Sequence, residues 1–196
     1  MFGKGYHPLV RTAGEATRER ILDAAKTEFA RYGIAGSRIN RIAADARASK
    51  ERLYAYFASK EALFAAVSER WVAETTMNTA LRGDDLPGYA GRLFDHYIAH
   101  PDHVRLQRWA DLEESPRSSR DSRSNAIGSK LKEIRRAQKD GHIDDTWDAV
   151  ELLMVVTDTV LAFAVGHYGS ARHRRPEKLR RAAVVEAVFR IAAPRG

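Results

Sequence analysis

The chain has 196 residues, 44% of them hydrophobic, which is enough to bury the core of one large domain or two small ones. It contains no cysteine, so disulfides, thiolate metal sites and cysteine nucleophiles are excluded, and no run of about 18 apolar residues marks a membrane span. The net charge of +7 is uneven: residues 1–60 hold 12 Lys/Arg against 6 Asp/Glu, residues 61–196 hold 21 against 20, and a basic head on a nearly neutral body is the electrostatic footprint of a nucleic-acid binder with a second function.

Residues 1–15 read as a flexible arm with Gly3, Gly5, Pro8 and Gly14, in which Lys4 and Arg11 can reach a phosphate. The start lacks a hydrophobic signal segment, which predicts a cytoplasmic location. A helix follows from about Thr17 to Tyr32, with Ile21, Ala25, Phe29 and Tyr32 as its apolar stripe and Gly33 as the residue that stops it. Ile39, Ile42, Ala43 and Ala46 then share one helical face, with Ser37 expected as the N-cap. Ser49 is the expected cap of a second short helix whose Leu53 and Phe57 point inward, and Ser59 caps a third, with Glu61 near its positive end. The middle helix spans only about seven residues, roughly 10 Å, too short to be stable alone. It must be held by neighbours while its other face stays free. That face carries Lys50, Arg52 and Tyr54, with Tyr56 at its edge, poor core material but suited to phosphates and base edges.

From Lys60 to about Leu81 the pattern is helical without glycine or proline, a rod of roughly 33 Å joining head and body with no flexible linker. RGDDLPG (82–88) is a turn. Helices are expected over Leu86–Ile98, from Pro101 onward through Val104, Leu106, Trp109 and Leu112, through Ile127, Leu131 and Ile134 to Gly141, over about Asp145–His167, and over about Pro176–Ala193. Residues 115–124 are polar, either a loop or a solvated helix start. ELLMVVTDTVLAFAV is apolar nearly all round, as a helix buried on several sides should be. Strand periodicity, repeats and low-complexity segments are absent from the sequence.

The residues TRERILDAA, FARYG, the IA of RIAADA, SKERLYAYF and SKEAL resemble the tetracycline-repressor (TetR) family of bacterial transcription regulators, over about Thr17–Val67. The chain departs from that pattern at Arg47 and Ala48, where glycine and valine are common, and at Glu51, where a small residue is common. Arg47 is therefore expected at positive φ, and Glu51 places a negative charge on or near the reading face. The resemblance implies an all-α fold: a flexible arm (1–15), an N-terminal three-helix helix-turn-helix DNA-binding domain (16–62), and a C-terminal helical ligand-binding and dimerisation domain (63–196) reached through a long helix. It implies a homodimer whose last two helices pair with their symmetry mates, a palindromic double-stranded DNA operator, and a small-molecule effector that releases a repressor. The implied DNA-binding residues are Ser37, Arg38, Ser49, Lys50, Arg52, Tyr54, Tyr56 and Lys60, with Arg52 placed to read a base edge.

Trp71, Phe94, Tyr97, Trp109, Met154 and Phe163 can line a pocket in the body, each having core packing as its ordinary alternative. His96, His100 and His103 stand at i, i+4 and i+7, and two histidines four apart can bind zinc. Pro101 interrupts that register, however, and no HExxH glutamate stands between them. Hydrogen-bonding histidines are the expectation, with no metal and no cofactor, and a helical metal-dependent enzyme or metal-binding protein is the alternative. RHRRPEKLRR (172–181) reads as a charged loop and helix start, or else as a second nucleic-acid patch. No GxSxG or P-loop occurs.

Overall fold

The computed structural model describes residues 13–112, 117–165 and 175–194, with side chains described for all of these except 117–122. Among the described residues the secondary structure is helical throughout: α1 (Ala13–Gly36), α2 (Ile39–Asp45), α3 (Lys50–Tyr56), α4 (Lys60–Asn78), a 3-10 turn (Gly83–Asp85), α5 (Leu86–Ala99), α6 (Pro101–Leu112), α7 (Arg117–Lys139), α8 (Ala149–Val165) and α9 (Glu177–Ala192). None of the helices among these residues is long and apolar enough to cross a membrane. Two compact units result, one ending at Val67 and one beginning at Ser68, so that the division falls inside α4.

The first unit is built on α1. Ile21, Ala25 and Phe29 are fully buried against Ile42 of α2, Leu53 of α3 and Leu63 and Phe64 of α4. The Phe29 and Phe64 rings meet edge-to-face at 5.2 Å, a geometry that aligns a positive ring edge with a negative ring face. Gly33 breaks α1 with φ 68° and ψ −176°, a region essentially restricted to glycine. The expected stop is there, although Ile34–Gly36 regain helical geometry beyond it.

Ser37 does not cap α2. It is buried, and its hydroxyl donates to the Ile34 carbonyl at 2.7 Å. The N-cap position is Arg38, which makes no side-chain cap. Instead the buried carboxylate of Glu28, on α1, accepts the Arg38 N–H and the Arg41 Nε–H, each at 2.8 Å. A charge from a neighbouring helix thus does the work of a local cap, at the end of α2 where the dipole favours an anion. The same carboxylate holds the Arg41 guanidinium above its ordinary pKa and over the Tyr32 ring at 4.4 Å. At the other end of α2, Arg47 has φ 53° as anticipated. Its N–H reaches Ala44 O at 3.0 Å and the Ala48 N–H reaches Ala43 O at 2.9 Å, the paired bonds of a Schellman ending. Arg20 of α1 closes this end from outside, donating to Ala46 O at 3.2 Å.

In the second unit α5 packs against both α8 and α9. Leu86, Tyr89, Leu93 and Phe94 of α5, Leu152, Val156 and Val160 of α8, and Val184 and Val188 of α9 are all essentially inaccessible. Arg181 of α9 grips both oxygens of Asp95 of α5, at 2.8 and 2.9 Å. Gly83 must be glycine, because a Cβ there would lie 2.5 Å from the Ala137 Cβ of α7. The rod ends at Asn78 rather than Leu81: the Thr79 hydroxyl donates to Thr75 O at 2.6 Å, and the buried Leu81 joins the core of this unit. The bounds of α7 and α8 also differ from the expected ones. The polar segment 115–124 contains the start of α7, and α8 begins at Ala149, where Asp148 Oδ1 accepts the Val150 and Glu151 N–H groups at 2.8 and 3.2 Å. The arm with Lys4 and Arg11, the end of the expected helix at His167, and 172–174 of the basic segment lie outside the described residues.

If Glu28 is the distant cap of α2, Glu28→Ala strands the Arg38 N–H and the Arg41 guanidinium together. A loss of about 2–3 kcal/mol in chemical denaturation of the first unit is expected, and a change below a few tenths of a kcal/mol would contradict the assignment.

Candidate nucleic-acid interface and body cavity

The geometry of α3 follows from three anchors. Ser49 Oγ accepts the Arg52 N–H at 3.1 Å, Leu53 is fully buried and Phe57 nearly so, and the Arg18 guanidinium lies over the Phe57 ring at 5.4 Å. Rotating by 100° per residue from Leu53 leaves Lys50, Arg52 and Tyr54 exposed and Tyr56 half-buried, with the Lys50 ammonium 5.9 Å above the Tyr54 ring. Glu51 belongs to the cap: hydrogen bonds from its own N–H and the Ser49 hydroxyl hold its carboxyl below the usual range. Its charge is thus engaged at the helix terminus. Glu61 does the same beside Ser59, whose Oγ accepts the Ala62 N–H at 3.1 Å.

The other expected contact residues divide. Arg38 and Ser49 are exposed. Ser37 is buried with its hydroxyl committed to Ile34 O, and Lys60 is half-buried with Nζ donating to the same Ile34 carbonyl at 2.7 Å. Two further polar side chains, Asn40 and Arg47, are exposed on α2 and the turn into α3. The Arg47 charge stands two residues before the Ser49 cap, at the same position whose backbone departs from the family pattern.

The second unit contains a cavity of about 470 Å³, of the size that takes a small organic molecule. Of the six side chains expected to line it, Trp71, Tyr97 and Met154 do. Phe94 does not: it is buried with the Arg180 guanidinium over its ring at 5.5 Å. Trp109 and Phe163 are also absent from the wall, Phe163 lying 37% exposed on α8. Tyr89 and Lys130 belong to the wall and went unread. Tyr89 was legible in principle, since Tyr89, Leu93 and Tyr97 are spaced i, i+4, i+8. Lys130 carried no signal in a polar helix. Among the described residues, Trp71 Nε1 and Tyr89 Oη are buried without a hydrogen-bond partner. Burial pushes the Tyr89 and Tyr97 phenols above their ordinary pKa, so both are neutral donors. The Lys130 ammonium stands 5.4 Å over the Tyr89 ring, its pKa lowered by burial. Asp111, also on the wall, is engaged by Arg123 and by Gln107 Nε2.

Beside the cavity lies the histidine cluster. Pro101 does not scatter the rings. It opens α6 so that the centroids of His96, His100 and His103 lie 4.7–5.1 Å apart. His96 Nε2 is 3.0 Å from His103 Nδ1 and 3.2 Å from the Thr75 hydroxyl. Burial, followed by the nearby His100, lowers the His96 pKa.

Comparison with known proteins agrees with this two-part anatomy. Residues 21–67 match the model of the bacterial regulatory proteins of the tetR family, and residues 85–190 match the tetracyclin repressor-like C-terminal domain. The HTH-type transcriptional repressor SCO4008 of Streptomyces coelicolor is 40% identical over 146 residues, covering 72% of this chain and 75% of that protein. The crystal structure of the putative transcriptional regulator SCO4942 from the same organism superimposes with a TM-score of 0.79 at 45% identity, over 90% of this chain and 98% of that one. The transcriptional regulator FadR from Bacillus subtilis, crystallised in complex with stearoyl-CoA, shares the fold at a TM-score of 0.69 and 13% identity, over 89% of this chain and 98% of that one. With a family model spanning more than half of the chain and a relative this similar, the chain belongs to the TetR family of helix-turn-helix transcriptional regulators, DNA-binding proteins rather than enzymes.

Proposed function

We propose that the chain is a homodimeric repressor of a near-palindromic operator, acting in the cytoplasm, and that α3 enters the major groove. The observation that carries this reading is the outward face of α3, where Lys50, Arg52 and Tyr54 are exposed on a helix locked from behind by Ser49, Leu53 and Phe57. Arg52 reads a base edge. Lys50, Tyr54, Arg38 and Arg47 meet phosphates, with Ser49 and Tyr56 at the margin. Lys60 serves both α1, through Ile34 O, and the backbone of the operator. The buried Ser37 shapes the turn rather than touching DNA.

Selection of bound sequences from random duplexes tests the reading, and an affinity indifferent to sequence would overturn it. Arg52→Ala should cost about 1–3 kcal/mol on the selected operator and relax its base preference. Lys50→Ala should instead weaken all duplexes alike and reduce the salt slope by about one. Titrations of operator and scrambled duplex at several salt concentrations separate these outcomes.

The two-fold pairing is supported by apolar side chains left uncovered on the last two helices. Leu179 (45%) and Phe189 (57%) of α9, with Phe163 of α8, are large apolar side chains exposed on the single chain. Val188, apolar and on the same helix, instead fills the core of its own subunit, so a charge there would unfold the chain rather than split a dimer. Phe189→Glu should yield a folded monomer by light scattering, with operator affinity reduced because one reading helix spans only a half-site. A dimer that survives this change would place the interface elsewhere.

The cavity suits an apolar or aromatic effector bearing an acceptor or a negative charge. Trp71 Nε1–H, Tyr89 Oη–H and the Lys130 ammonium are three donors on one wall, and a ligand that accepts from them removes the cost of leaving them unpaired. An aromatic sulfonate dye should bind the native chain stoichiometrically, and Lys130→Met should weaken it by about tenfold, or about 1.4 kcal/mol. Unchanged dye affinity in that variant would remove Lys130 from the site. The effector acts by favouring the state that does not fit the operator, and linkage then requires operator and effector to weaken one another equally.

A further inference from the structure

The histidine cluster is not absorbed by DNA binding or by the cavity. We propose that His100, Asp102 and His103 form a binding site for a divalent transition-metal ion of the zinc class.

The first ground is spacing. One ligand atom from each of His100, Asp102 and His103 falls within 4.8 Å of the others, and His103 Nε2 lies 3.4 Å from Glu74 Oε2. Two atoms bound to one ion at about 2.0–2.1 Å sit roughly 3.3 Å apart at a tetrahedral angle, so the three donors reach ligand spacing by side-chain closure of no more than about 1.5 Å. The second ground is tautomer. His103 Nδ1 meets His96 Nε2 at 3.0 Å; in the form where Nδ1–H donates to His96, Nε2 carries the lone pair an ion takes, with the Glu74 carboxylate, ion-paired to Arg70 at 3.0 Å, as a flanking anion. A metal-bound histidine ordinarily has its other nitrogen held in this way, and Thr75 Oγ1, at 3.2 Å, orients His96 in turn.

Rigidity and access agree. The His100 N–H bonds His96 O at 2.8 Å and the His103 N–H bonds His100 O at 3.0 Å, so the three rings ride on one hydrogen-bonded corner with Pro101 as the first residue of α6. His103 is fully buried, whereas His100 and Asp102 are half-buried, which leaves an entry path on their side. Two imidazoles with one carboxylate are borderline donors, which favours zinc, cobalt, nickel or copper over magnesium or calcium. The donors come from α6 and the residue joining α5 to α6, so an ion would brace that corner of the second unit.

The test uses the full-length chain, freed of any affinity tag and of metal by a chelator. Cobalt(II) should give visible d–d absorption that saturates at one ion per chain, and zinc(II) should displace it and raise the melting temperature. His100→Ala and Asp102→Asn replace half-buried side chains and should leave the metal-free chain folded with a cooperative melt, while weakening both metals by at least about 100-fold. His103→Ala empties a buried position and is informative only beside those two. A hydrogen-bonded histidine cluster alone would show no saturable cobalt spectrum at micromolar concentration. That result, or saturable binding that survives both His100→Ala and Asp102→Asn, overturns the proposal. Neither outcome bears on the operator or the effector, since each is measured without DNA and without dye.

Discussion

Two helices of seven residues each have to be held in place by something other than themselves, and the head of this protein is organised around that constraint. A helix of two turns leaves most of its backbone groups without internal partners. Here the burden falls on α1: Phe29 supplies the surface on which α2, α3 and the start of α4 pack, Glu28 takes the open N–H end of α2, and Arg20 takes its carbonyl end. Because α1 terminates both ends of α2 and buries its inner face, α3 can expose a face made wholly of residues that contribute nothing to the core. Freedom to bind DNA on one side is the counterpart of complete dependence on the other.

How much was legible in the sequence tracks how local each cause is. The caps at Ser49 and Ser59, the stop at Gly33 and the positive φ of Arg47 arise from residues within one turn of where they act, and the chain shows them. The cap of α2 is a carboxylate ten residues upstream, so Ser37 looked like the cap and is not. The body is a harder case. Hydrophobic spacing tells which residues leave water, but not whether they face a neighbouring helix or a void. Phe94 and Tyr97 are both buried on α5, yet only Tyr97 meets the cavity. The histidines illustrate the same limit in reverse, since a proline that destroys helical register in the sequence is what turns the chain so that three rings converge.

The electrostatics of the head are more structural than its composition suggests. Of its basic side chains, Arg20, Arg41 and Lys60 donate to carbonyls or to a buried carboxylate. Among the described residues, what remains exposed on and around α3 is a smaller set, Arg18, Arg38, Arg47, Lys50 and Arg52. Net charge overstates the number of cations available to a phosphate backbone, and the salt dependence of binding should follow the smaller set.

Helix α8 carries two roles at once. Val150 and Met154 line the cavity and are also exposed on the single chain, and the same helix presents Phe163 to the outside. On that side the same side chains meet both the cavity and the solvent. If the proposed pairing runs through α8, it would complete the container, and the ligand's affinity would become a function of protein concentration. In a cell that holds few copies of the protein, dilution and effector would act on one equilibrium, and the amount of regulator made would itself set the threshold at which a signal is felt.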